Sequence, residues 1–255
     1  MTQLIQHPAF LFFSLIVCLP LAAMFGALVL HRRAPLSEEA RENYNIVQGA
    51  TLTLLALLIG FTLSMAVSRY DQRKNYEEEE ANAIGTEYLR ADLVGADAAR
   101  IKTLLARYLE ARIEYYQTRD HATLDANNHT TAALQAQLWD SVRQAAAAQP
   151  NPVTALVVAG MNDVLNTQGY TQAAWLNRIP AAAWILMLII ALFSNIMQGY
   201  GTCGKSGRRV LMFVLPVTVS LSLTLIADID SPRAGLIRVA PLNLLSLQQS
   251  FQTPN

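Results

Sequence analysis

The chain has 255 residues, is 53% hydrophobic and only 15% charged, and carries no net charge at neutral pH. That balance argues against an ordinary water-soluble enzyme, and a neutral chain offers no electrostatic reason to expect a nucleic-acid partner. The 19 basic and 19 acidic side chains all lie outside four stretches, Ala9–Leu30, Ile46–Ser68, Ile179–Gln198 and Val210–Ala227.

These stretches run 22, 23, 20 and 18 residues, and a bilayer core about 30 Å thick needs roughly 20 helical residues to cross. Each is read as a membrane span. The first is longer than a usual secretory signal core and has no basic residue before it, so it is taken as a mature helix. The second is free of proline as far as Val94, which predicts one helix running from Ile46 past the membrane boundary at Arg69, about 70 Å long. The region Arg69–Arg178 carries 11 basic and 14 acidic side chains and reads as helices.

Within that region a helix is expected from about Ala98 to Arg119. Ile101, Leu104, Leu105, Tyr108 and Arg112 share one face, with Leu109, Ile113 and Tyr116 beside it. Asp120–Thr130 is expected as a polar turn region, Thr131–Ala148 as a third helix with Leu134, Leu138 and Val142 inward, and Pro150-Asn151-Pro152 as its end. Val153–Leu176 leads back to the membrane. The last span alternates with period two over Val217–Leu225, as a half-buried strand would, but its charge-free flanks favour a helix. Pro20 and Pro216 inside spans are read as packing features. The fold expected is therefore all-α: a four-transmembrane-helix integral membrane protein with a long-helix extramembrane bundle. Its parts are a first helix pair (1–68), an extramembrane helical region (69–178), a second pair (179–227) and a tail (228–255).

The chemical motifs are weak. Gly199-Tyr200-Gly201-Thr202-Cys203-Gly204-Lys205-Ser206 spells a phosphate loop, yet it lacks the preceding strand and following helix that such a loop needs. Cys18 and Cys203 suggest neither a disulfide framework nor a zinc site. His7, His31, His121 and His129 show no ligand spacing, and no serine elbow is present, so neither an enzyme nor a cofactor is expected. The run Glu77–Glu80 cannot converge on one ion, because neighbouring helical positions diverge by about 100°, and it is read as a solvated face. Glu80, Asn82, Glu87 and Tyr88 are the exception, since small and apolar residues around them suggest buried, paired polar groups.

On the second span Thr53, Leu57 and Phe61 lie four residues apart along one face, adjoined by Gly60 and Ser64. Gly60 and Ser64 form a small-xxx-small pair suited to helix packing. Helix packing and a pore lining are both open for this face.

The segment Gly60-Phe61-Thr62-Leu63-Ser64-Met65-Ala66-Val67-Ser68-Arg69-Tyr70 resembles the second-span signature of bestrophin anion channels. The chain as a whole looks more like the bacterial bestrophin-like domain family, through Arg69-Tyr70, Glu80-Ala81-Asn82-Ala83-Ile84-Gly85, Tyr88-Leu89 and Asp230-Ser231-Pro232-Arg233-Ala234-Gly235. The resemblance implies a multi-pass protein of the inner membrane, a pentamer of identical chains, and a central pore for small anions lined by the second span. Thr53, Leu57 and Phe61 would then form its neck, and residues 69–178 a cytoplasmic vestibule. Thr53 is smaller than the family's usual residue there, which weakens any dewetting barrier. Basic residues flanking the spans tie at six on each side, so orientation follows the resemblance alone. Asp228 and Asp230 occupy the neighbourhood of the family's calcium clasp without its acidic cluster, and are read first as caps or as partners of Arg233 and Arg238. The competing reading is a non-conducting membrane scaffold or sensor whose helical region binds a protein partner.

Overall fold

The computed structural model describes residues 7–33, 36–202 and 211–252. Among them every regular element is helical, so the all-α expectation holds. Helix α1 (Pro8–Phe25) passes through a π-helical turn, Gly26–Leu30, into a last turn, His31–Arg33. Then come α2 (Glu38–Arg90), a 3-10 segment (Ala91–Asp97), α3 (Ala98–Gln117), α4 (His121–Ala148) and α5 (Pro152–Leu176). The described chain closes with α6 (Ala181–Thr202), α7 (Leu211–Asp230) and α8 (Leu242–Gln252). Four helical stretches are long and apolar enough to cross a membrane. The chain divides into two compact units, Met1–Ser68 with Arg178–Arg238, and Arg69–Asn177 with Val239–Asn255.

In the first unit α1 packs against α6 and α7. Its buried residues Leu11, Leu15, Leu19, Ala22 and Ala23 recur at three- and four-residue spacing, while Phe10, Phe13, Val17 and Leu21 are exposed. A helix that is apolar on covered and uncovered faces alike suits hydrocarbon better than water. Glycines bring α1 and α6 to backbone contact: a Cβ added at Gly199 would land on the Ala23 carbonyl, and one at Gly26 on the Ile196 carbonyl. The alternating stretch Val217–Leu225 lies inside α7. There the hydroxyls of Thr218, Ser222 and Thr224 donate to the carbonyls of Val214, Thr218 and Ser220, so its polar positions are satisfied within the helix.

In the second unit α3, α4 and α5 pack in succession and α8 lies on α3. Every position named on the α3 stripe, from Ile101 to Tyr116, is buried, against Leu134, Leu138 and Val142 of α4 and Val157, Met161 and Val164 of α5. The expected long helix is α2, which begins at Glu38 and ends at Arg90. The 3-10 segment follows, with Gly95 at φ +59° making the turn into α3; only glycine takes that conformation without strain.

One expectation fails here. Asp120–Thr130 is not a turn region but the cap and opening turns of α4. The Asp120 carboxylate accepts the Thr123 N–H at 2.9 Å, and the buried Asn127 donates to the Ala111 carbonyl and to Glu114, both at 2.9 Å. Polar residues that favour turns thus serve as a cap and an interhelix bond, and the rest of the segment is helical surface. Pro150-Asn151-Pro152 does end α4, and it also starts α5. Asn151 accepts the amides of Val153 and Thr154 at 2.8 and 3.0 Å, and Thr154 Oγ1 accepts the Asn151 N–H at 3.2 Å, a reciprocal capping box.

Candidate functional site

The apolar stretch of α2 has two faces. Leu55, Thr62 and Ala66 are buried, and Thr62 Oγ1 donates to the Leu58 carbonyl at 2.6 Å. Thr53 is exposed, as are Leu57 at 53% and Phe61 at 62%. At about 100° per residue the centre of the exposed trio lies roughly 160° from the centre of the buried set. Gly60 and Ser64 fall on the exposed side too, and a Cβ at Gly60 would meet nothing within 4 Å. Thr53 Oγ1 donates to the Gly49 carbonyl at 2.9 Å, which leaves its methyl and an oxygen lone pair outward.

Further along α2 the stripe facing the second unit's core is charged. Arg73, Glu77, Glu80, Ile84 and Glu87 are all buried, as is Ala91 at the start of the 3-10 segment, at alternating four- and three-residue spacing. Buried charges are tolerated only with partners. Glu80 receives Nε of the equally buried Arg112 in an ion pair, and its second oxygen accepts the hydroxyls of Tyr116 and Thr171, each at 3.2 Å. The Arg112 guanidinium also lies 4.3 Å from the Tyr115 ring centre. Burial, and then the Glu80 charge, push the Tyr116 hydroxyl well above the usual tyrosine range. Tyr108 is raised by the same two causes.

Glu77, read in the sequence as part of a solvated run, is buried and caps α8. Its carboxylate accepts the backbone amides of Asn243 and Leu244 at 2.9 and 3.0 Å and the Asn243 side-chain amide at 2.6 Å. Glu78 and Glu79 do face outward. Gly85 sits under the same tail helix, where a Cβ would stand 3.0 Å from Leu247, and Tyr88 stacks on Phe251 with ring centres 3.8 Å apart. Tyr70 packs at the margin of the core and Arg69 is half-buried. Asn82 departs from its expected set: it is exposed, and with Thr86, Arg90, Gly160, Asp163 and Tyr170 lines an open cavity of about 450 Å³.

After α7 the chain turns sharply. Asp228 accepts the amides of Leu236 and Ile237 at 2.7 and 2.8 Å, and both Asp230 oxygens accept the Ile179 amide at 3.2 Å. A Cβ at Gly235 would strike the Asp228 carbonyl. These aspartates therefore hold backbone, the role expected of caps. The described residues contain no group of three or more His, Cys, Asp or Glu able to hold a metal. In the phosphate-loop pattern, Gly199–Thr202 belong to α6, while Cys203, Gly204, Lys205 and Ser206 lie outside the described residues.

Sequence reasoning missed Glu77, Gly160, and the close approaches of Gly26 to Ile196 and of Gly199 to Ala23. The first had a visible signal, a three-residue offset from Glu80 on the same helix face.

The sequence matches the family model described as Bestrophin-like domain over residues 17–244. No curated protein matches it. Among solved structures it is similar to a single-site variant of a bacterial bestrophin homolog from Klebsiella pneumoniae, with a TM-score of 0.68 at 11% identity over 94% of this chain and 96% of that one. A second crystal structure of that homolog gives 0.65 at 13% identity, over 93% and 98%. At such identities the likeness is one of fold.

Proposed function

This chain belongs to the bestrophin-like domain family, and from that premise we propose that it is a multi-pass channel of the inner membrane, a pentamer of identical chains that conducts small anions. The fold is of ion-channel type and the chain is a membrane protein. The observation that supports the finer reading is the uncovered face of α2. Thr53, Leu57 and Phe61 point away from the side the chain buries, and a helix with such a face gains by surrounding a shared axis with copies of itself. On this reading Phe61 is the narrowest apolar ring and Thr53 a small polar one. Gly60 and Ser64 share the face and let neighbouring helices approach. Small anions are the permeant species, lipid and further copies the partners, and catalysis plays no part. The helices of residues 69–177 stand in the cytoplasm, so alkaline phosphatase inserted between α4 and α5 is inactive.

Planar bilayers carrying the purified oligomer provide the test. Anion-selective current is expected, with Phe61→Ala raising conductance several-fold or relaxing selectivity. Absence of current from well-folded oligomers under every anion gradient, or a Phe61→Ala channel identical to the parent, defeats the proposal. A monomer or dimer by native mass measurement points instead to a scaffold that binds a partner, because one helix per chain cannot enclose a pore with so few copies.

A further inference from the structure

Glu87 is the buried acid of α2 that the Arg112 and α8 networks leave unused. Its side chain is fully buried, and neither carboxylate oxygen has a hydrogen-bond partner among the described residues. It occupies the notch that Gly160 opens in α5. A Cβ there would strike Glu87 Oε2, and would stand 3.2 Å from its carboxyl carbon. The charged groups facing it are Arg90 from its own helix and Asp163 from α5. Arg90 is partly engaged elsewhere, its Nη1 donating to the Leu156 carbonyl at 3.5 Å. Asp92, on the following 3-10 segment, is turned to Lys102 at 2.6 Å.

An ionised carboxylate with no donor, shut away from water, is among the costliest groups a protein can bury, and it avoids that cost by keeping a proton. We propose that Glu87 is a proton-operated latch between α2 and α5: the side chain is neutral while the two helices are closed on it, and losing the proton loosens their contact. Burial pushes its carboxyl up to about 8, with Arg90 opposing and Asp163 adding to the rise. The sign of the linkage follows. When the helices part, Glu87 regains an ordinary acidity near 4.3, so the open form binds fewer protons than the closed one between those two values. Rising pH therefore favours opening across that window, and the effect levels off above about 8. This inference concerns the second unit alone and does not depend on whether the chain conducts ions.

Hydrogen exchange of the intact oligomer, corrected for the intrinsic pH dependence of amide exchange, tests it. In the parent protein, protection of α5 and of α2 around Glu87 falls at least tenfold between pH 5 and pH 8, then flattens. Glu87→Gln, which keeps the shape of the neutral acid, removes that dependence and retains protection at pH 8. Asp163→Asn, at an exposed position, withdraws a repelling charge and shifts the plateau to lower pH. Protection in the parent that does not change from pH 5 to 8, or a loss of the same size in Glu87→Gln, overturns the latch.

Discussion

Removing one partner from a buried ion pair leaves a charge with nothing to offset its desolvation, and Glu80 is the residue of this chain to which that applies most directly. Its oxygens are shared among Arg112, Tyr116 and Thr171. Glu80→Ala should destabilise the second unit by about 3–5 kcal/mol, whereas Glu80→Leu combined with Arg112→Met should recover most of that loss. Thermal unfolding of the solubilised protein, run as a double-mutant cycle, gives the coupling; additive effects would mean that the pair does not act as one. The buried state of Glu80 was legible, because small and apolar residues follow it. That of Glu77 had a weaker signal, its three-residue offset from Glu80, which four consecutive acids mask by looking like a solvated surface. Asn82 is expected inward with Glu80, yet two residues on a helix place it about 160° around the axis.

At the level of single elements, capping decides where the helices of the second unit begin. Asn151→Ala removes the side-chain half of a capping box, leaving the backbone bond to Thr154 Oγ1, and should cost about 1 kcal/mol, visible as faster amide exchange confined to the first turn of α5. The existence of α1 to α7 was readable from apolar spacing, whereas α8 lay in a segment read only as a tail. The start of α4 was not, because Asp120, Thr123, Asn127, Asn128 and Thr130 carry the composition of a loop while their backbone follows a helix. In the first unit the limiting contact is between α1 and α6, at Gly199 and Gly26. Gly199→Leu must drive the helices apart, since the obstruction is backbone rather than a side chain that can swing away. The expected result is loss of monodisperse protein in detergent, with Gly49→Leu, at a position open to 4 Å, as the tolerated control.

For the whole molecule, the exposed apolar side chains of α1, α2, α6 and α7 require a covering of lipid or of further copies. Native mass measurement in lipid-matched detergent should find five chains, and conductance altered by Phe61→Ala would link that assembly to α2. The helical fold was readable because apolar runs of membrane length carry a strong signal. Which side of α2 faces a neighbour is not written in one chain's periodicity, since lipid-facing and pore-facing residues can both be apolar.

The bond from Glu77 to the start of α8 spans 166 residues of sequence. While the polypeptide is being made, this acid emerges from the ribosome long before the amides that will receive it. Its neighbourhood therefore stays incomplete until α8 has formed, and a chain halted before Asn243 would leave the Glu77 carboxylate without these donors. Helix α8 thus anchors α2 from far along the chain, and truncation before Asn243 should lower the unfolding temperature of the second unit.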